Sequence, residues 1–274
     1  MIYTLKQFPK KKFSDKQDQS RFIRKNLSDI LTIKRAEYKT KSEPILRPEL
    51  IKEFTPNIED ITSEFMSVKT VINSTNIIDS HKDLHLADIW NKTVKDNPFS
   101  HHLKQHEAKF ESVISKKARS YNEKSNFNQI GLDVDFETTL NINEFVLERS
   151  KMPFMFDAYK NGDVEQHSVG MMYVNIDIAY YDEESQKNMD FFEEMKKFAV
   201  NPEVADEYGY FFVVYEAKKR EGSAVVFGSN SVTPTLEVKN FVPSQNTRKN
   251  APQKSTQILN ELNKLVTNSK ISNK

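Results

Sequence analysis

The chain has 274 residues, 29 % of them charged, with only six glycines and no cysteine. That length accommodates one domain of about 150 to 200 residues with extensions, or two small domains. The lack of cysteine excludes disulfides, thiolate-held zinc, iron–sulfur clusters and a thiol nucleophile.

The formal net charge of +1 conceals a division. Residues 1–52 carry 14 Lys and Arg against 6 Asp and Glu, residues 241–274 carry 6 against 1, and the stretch between is left at −12. An acidic core between two basic arms is the expectation, the arms being solvated or docked on an acidic partner. No apolar run approaches the roughly 18 residues of a membrane span. The start, MIYTLKQFPKKKF, lacks the apolar stretch of a secretory signal. These features predict a soluble protein of a reducing compartment with no membrane contact.

In chain order, Phe22, Ile23, Leu27, Ile30, Leu31 and Ile33 recur near helical spacing and predict one helix over about Gln19–Lys39. SEPILRPELIKEFTP reads as a linker, which places a domain boundary near residue 57 and makes 1–57 a basic N-terminal arm. Residues 64–72, rich in β-branched side chains, predict a strand. A polar segment follows, then a short helix around Leu86–Lys95 with Ile89, Trp90 and Val94 on one side, ended by Pro98. FSHHLKQHEAKFESVIS reads as a His-bearing turn entering a short strand. Residues 129–139, with alternating Leu132, Val134 and Phe136, predict another strand.

A helix over about 149–160 is stopped by Asn161-Gly162. VEQHSVGMMYVNIDIAYYD is a long strand by its alternation. Residues 183–208 form an acidic helical insertion, and two strands follow at about 210–217 and 222–227. The tail, 241–274, is polar and basic, with one weak amphipathic helix at Ile258–Val266. The region 58–240 is thus a β-rich α+β domain. The aromatics of the first arm, Tyr3, Phe8, Phe13 and Phe22, are too sparse for a stacking platform, and no specific nucleic-acid binding is expected.

Two kinds of chemistry are open from the residues alone. His81 and His85 stand four apart with Asp79 and Asp83 beside them, a spacing that on a helix presents two imidazoles and a carboxylate to a metal ion. The segment precedes the helix, however, and does not ride on it. The second chemistry is nucleophilic catalysis by Ser168, placed where a helix stop meets a strongly patterned strand. A serine requires a base, usually histidine, and a third group to orient the imidazole.

Four segments in order raise the second reading. IIDSHKDLHLADIWNKTV, HHLKQHEAKFESVIS, DAYKNGDVEQHSVGMMYV and REGSAVVFGSNSVTP resemble the motifs of the prohead proteases of tailed bacteriophages, capsid-maturation serine proteases related in fold to the herpesvirus assemblins. The resemblance covers roughly residues 62–240. It implies a barrel-like antiparallel sheet with flanking helices, Ser168 as nucleophile and His106 as general base, with His101 and His102 as neighbours. Glu221 matches the acidic third member that the phage enzymes share in place of the assemblin histidine. The turn Gly228-Ser229 would supply backbone donors to an oxyanion. His167 is expected on the opposite face of the strand.

The function so implied is a serine endopeptidase that cleaves scaffold or capsid protein, and itself, during viral procapsid maturation. It would work without metal or cofactor, inside the procapsid in the host cytoplasm, with a homo-oligomer among the expected assemblies. The alternatives are a catalytically silent capsid-associated homologue and a His/Asp metal-dependent hydrolase. The chain departs from the pattern in the 183–208 insertion and in Gln166-His167 preceding the serine.

Overall fold

The computed structural model describes residues 3–37, 52 and 54–243. The linker is thus only partly described. The helix expected at Ile258–Val266 lies outside the described residues.

The chain opens with a hairpin, β1 (Tyr3–Leu5) and β2 (Phe8–Phe13), followed by α1 (Lys16–Lys25) and α2 (Leu27–Ala36). Asp15 caps α1 by accepting from the Asp18 amide at 2.7 Å. The single helix expected over 19–39 is two helices broken at Asn26. The Asn26 side-chain amide donates to the Phe22 carbonyl at 2.8 Å and so competes with the helical ladder.

The expected separation of a basic arm at residue 57 does not hold either, because the described residues up to Asn240 form one compact unit. Leu5, Phe13, Ile23 and Ile30 are fully buried in one cluster with Ile72, Ile176 and Phe212. Each such side chain contributes about 1.5–3 kcal/mol by leaving water. Arg21 and Arg24 lie on the other face, where they meet Glu184 of the acidic insertion at 2.6 and 2.7 Å. The two charge excesses therefore partly answer one another within the fold.

The rest of the domain is α+β, built on a nine-stranded mixed sheet. Its strands are β3 (Asn57–Ile58), β4 (Phe65–Ser74), β5 (Asp83–His85), β6 (Phe99–Lys104), β7 (Val113–Asn126), β8 (Glu137–Glu148), β9 (Gln166–Tyr180), β10 (Tyr210–Val225) and β11 (Thr235–Asn240). The order is β3-β11-β4-β8-β7-β6-β10-β5, with β9 also paired to β10. The sheet is not wholly antiparallel as expected. β5 and β6 both run parallel to β10, because each reaches it by a crossover and not by a hairpin.

The helices are α3 (Asn91–Asp96), α4 (Pro153–Asn161), α5 (Gln186–Lys196) and α6 (Glu203–Tyr208). α4 starts on Pro153 and ends at Gly162 with φ 81°, the left-handed geometry that glycine permits at a helix end. α5 and α6 are the expected helices of the insertion, and they bury Phe192, Met195, Val204 and Ala205 against Phe211 and Val213. None of the described helices is long and apolar enough to cross a membrane.

The strand expected at 129–139 is instead mostly a capped turn. Asn126 Oδ1 accepts from the amides of Asn128 and Phe136, and pairing resumes only at Glu137. The two strands expected at 210–217 and 222–227 are one, β10. Its register slips against β9 at Val214/Glu216, Glu216/Ala217 and Lys219/Glu221 carry the charged run through without ending the strand.

Candidate active site

The centre of the site is built by β10 and its two neighbours. Glu221 and Ser223 alternate to the same face, and the antiparallel register sets Gly170 opposite Glu221 and Ser168 opposite Ser223. Facing residues in such a pair hold their Cβ atoms about 4.5–5.5 Å apart. From the other side, β6 delivers the chain to Gln105 and His106. Both have positive φ, 55° and 58°, which is uncommon for residues with a side chain. Two contacts tie this turn to β10: the Gln105 amide donates to the Ala224 carbonyl at 2.9 Å, and the His106 amide donates to Ser223 Oγ at 3.2 Å. The cost of such backbone is of order 1–3 kcal/mol per residue, and it serves to swing the imidazole back over β10.

The result is a hydrogen-bonded triplet. His106 Nδ1–H donates to Glu221 Oε1 at 2.6 Å, and Ser223 Oγ–H donates to Glu221 Oε2 at 2.7 Å. Both His106 and Glu221 are nearly buried, with side chains 11 % and 8 % exposed. The carboxylate thus fixes the tautomer and leaves Nε2 as the ring nitrogen available for proton transfer. Gly170 makes this possible: a Cβ there would collide with Glu221 Oε1 and lie 2.9 Å from Cδ. Ser168 is half-buried on the same face, and among the described residues its hydroxyl takes no hydrogen bond to His106. The structure therefore joins His106 to Glu221 and sets Ser168 beside them without closing the last link.

Gly228 N–H donates to Gln166 Oε1 at 2.9 Å, and the Ser229 carbonyl accepts from the Ser80 amide at 3.0 Å. The proposed oxyanion donor at Gly228 is thus occupied by a side-chain amide from the entrance of β9. The turn itself is firmly held. Asn230 binds Ser74 and Thr233 Oγ1 donates to the His167 carbonyl at 2.6 Å.

His101 is exposed on β6. His102 and His167 lie on the opposite face, where a chain of hydrogen bonds links them through α4. Asn143 Nδ2 donates to His102 Nδ1 at 3.3 Å, and His102 Nε2–H to the Tyr159 hydroxyl at 3.3 Å. The Tyr159 hydroxyl donates to His167 Nε2 at 3.1 Å, and His167 Nδ1–H to the Thr233 carbonyl at 3.0 Å. Every link is satisfied when both imidazoles are neutral. Gly222 leaves the room this chain needs, since a Cβ there would stand 2.9 Å from Ile72 and 3.2 Å from His102 Nδ1. Sequence reasoning missed the chain, because its members are near one another only once β6, α4 and β9 are in place.

Burial pushes the His102 imidazolium pKa well below its usual value and brings His167 down to about 4. His167 has an unfolded pKa of about 6.5. Between these values the unfolded chain binds the extra proton, so stability is full above pH 6.5 and falls as the pH drops toward 4. The His167→Gln variant is expected to lose about 2 kcal/mol less than the native chain between pH 7 and 4.5 in urea titrations. Parallel losses would show that His167 does not titrate on unfolding.

The residues singled out for a metal form a different structure. Asp79, Asp83 and His85 do converge, with potential ligand atoms within 4.8 Å of one another and all three buried. Their surroundings already include a cation: Lys34 Nζ, from α2, lies 2.6 Å from Asp83 Oδ1 with both side chains fully buried. Tyr173 donates to Asp83 Oδ2 at 2.5 Å, and Asp79 Oδ1 accepts from the amides of His81 and Asp83. His81 turns to Lys6 and is not part of the group. The segment is a turn entering β5 and not a helix, so the i, i+4 argument fails.

Two hollows adjoin the site. One, of about 520 Å³, is lined by Gln105 next to His106, by Ala224–Val226 after Ser223, by Gln166 and by the outer side of α4. The other, of about 470 Å³, lies across residues 164–166 and includes Phe227 and Val232. No protein-family model, no curated protein and no solved structure matches the chain.

Proposed function

We propose that the chain is a serine endopeptidase of the prohead-protease type, on an assemblin-like barrel. The observation that supports this best is the buried His106–Glu221 pair at 2.6 Å on the sheet face that also carries Ser168. In this reading, Ser168 Oγ attacks the scissile carbonyl carbon while His106 Nε2 takes its proton. Glu221 stabilises the imidazolium that results. The C–N bond then breaks as His106 returns the proton to the leaving amine. Water, activated by the same imidazole, hydrolyses the acyl-enzyme. For Gly228 N–H to serve the oxyanion, substrate must displace the Gln166 amide from it.

The sequence resemblance adds the setting: scaffold or capsid protein as substrate, inside a procapsid. A catalytically silent homologue is the competing reading. It is favoured by the unmade Ser168–His106 bond and by the occupied Gly228 donor. Expression of the native chain beside Ser168→Ala, with intact mass spectrometry over hours and after addition of the capsid or scaffold protein of the same genome, decides between them. Trimming of the chain or its partner by the native protein alone supports the protease. Two intact species support the silent homologue.

A further inference from the structure

The hollow beside the site has a definite chemical character. Its walls are apolar, with Met155 and Ala158 of α4 facing Ala224 and Val225 of β10. At its mouth Phe154 and Val226 stand 77 % and 65 % exposed, a large apolar area to leave in water. Around these walls are three carboxylates, Asp157, Asp163 and Glu165, against one cation, Lys104. Asp157 is neutralised by Arg149 Nη1 at 2.8 Å. Asp163 and Glu165 make no ion pair among the described residues and are exposed. They sit in the connection that leads from Gly162 into Gln166, so the acidic rim continues directly into the strand of Ser168.

We infer that this groove binds an extended peptide segment in which lysine or arginine stands next to apolar side chains. The inference rests on the peptidase reading and gives it a substrate class. The long stems of Lys and Arg cover apolar walls while their charged ends reach a rim at the surface. Asp163 and Glu165 supply the complementary charge. A substrate with acidic residues at the same positions would set like charges together in a partly desolvated groove. The groove starts on the α4 face of the sheet, and Gln105, Val225 and Gln166 at the strand ends lead it round to the face of His106 and Ser168.

The test uses the full chain carrying Ser168→Ala, so that binding is read without turnover. Two fluorescent dodecapeptides share a Leu/Phe/Ala frame and differ only in two central residues, Lys-Lys or Glu-Glu. By anisotropy the Lys peptide is expected to bind about tenfold more tightly, the difference shrinking as salt is raised. The same measurement on Asp163→Asn with Glu165→Gln should bring the two peptides within about twofold of each other. Equal binding, tighter binding of the Glu peptide, no binding of either, or a preference that survives the double variant would overturn the inference. Because binding is measured in a chain that cannot cleave, the peptidase reading fails separately: the Lys peptide would bind the native chain and stay intact.

Discussion

On the peptidase reading, Gly170→Ala is expected to lower kcat/KM by up to about 10⁴-fold while leaving the fold intact, the loss known when the orienting acid of a triad is disabled. The carboxylate of Glu221 lies over Gly170, in the space a methyl group would take. The colliding atoms are at the far end of a flexible side chain. The strand can therefore stay while the carboxylate moves, and His106 Nδ1 loses its acceptor. Three readouts separate this from general damage. The chain should stay folded, with its unfolding free energy in urea lowered by no more than about 1–3 kcal/mol, the scale of buried hydrogen bonds left unmade. The far-downfield Nδ1–H proton signal of His106 should disappear. On a Glu221→Ala background, Gly170→Ala should cost almost nothing more, because residues acting as one unit do not add. Native activity in Gly170→Ala would remove Glu221 from the mechanism, even if Ser168 proved essential.

The same pair of strands shows what the sequence could disclose. The long strand at 166–180 is legible from its apolar content, and β9 follows its bounds, but its buried side shifts from Met171 and Tyr173 to Ile176 and Ile178 at the register slip, leaving Met172 and Val174 exposed. The helix stop at Gly162 is legible because its left-handed φ suits glycine. Gly170 and Gly222 could not be interpreted, since the reason for each is a side chain on another strand: Glu221 in one case, Asn143, Ile72 and His102 in the other. A Ser-x-Gly facing a Glu-x-Ser is a recognisable complement only once the register is known. Ser223 falls within the REGSAV segment, but its contact to His106 depends on the positive φ at residues 105 and 106, which no residue type there announces.

Charge misled in the opposite direction. A net excess of Lys and Arg over residues 1–52 suggested a separate arm. Part of the excess sits on the exposed side of β2, at Lys10, Lys11 and Lys12, and of the two docked helices, at Arg21, Arg24, Lys25 and Arg35, and an arm's composition does not distinguish a free helix from one whose apolar stripe is covered. The clearest sign of docking, the Lys34–Asp83 pair, joins positions 49 residues apart in sequence.

That pair carries the largest stability effect expected in the molecule. Lys34 Nζ sits 2.6 Å from Asp83 Oδ1 with both side chains fully buried, over the rings of Phe212 and Tyr173 at 4.5 and 5.2 Å. Removing one partner strands the other charge in the core, so Lys34→Met is expected to cost about 3–5 kcal/mol in urea denaturation. Lys34→Met with Asp83→Asn should recover most of the loss, because an amide can still accept from Tyr173 without carrying a buried charge. The position of Asp83 gives the effect its reach. β5 pairs with the start of β10, and the far end of β10 bears Glu221 and Ser223. The docked N-terminal helices thus brace the strand on which the site is built. A metal centre made of Asp79, Asp83 and His85 predicts the reverse pattern: midpoints that fall with EDTA and rise with zinc in the native chain, most strongly once Lys34 is gone. With the ammonium already in place, native stability should be indifferent to both. A single Lys34→Met variant within about 1 kcal/mol of native would show that the N-terminal helices are not held through this pair.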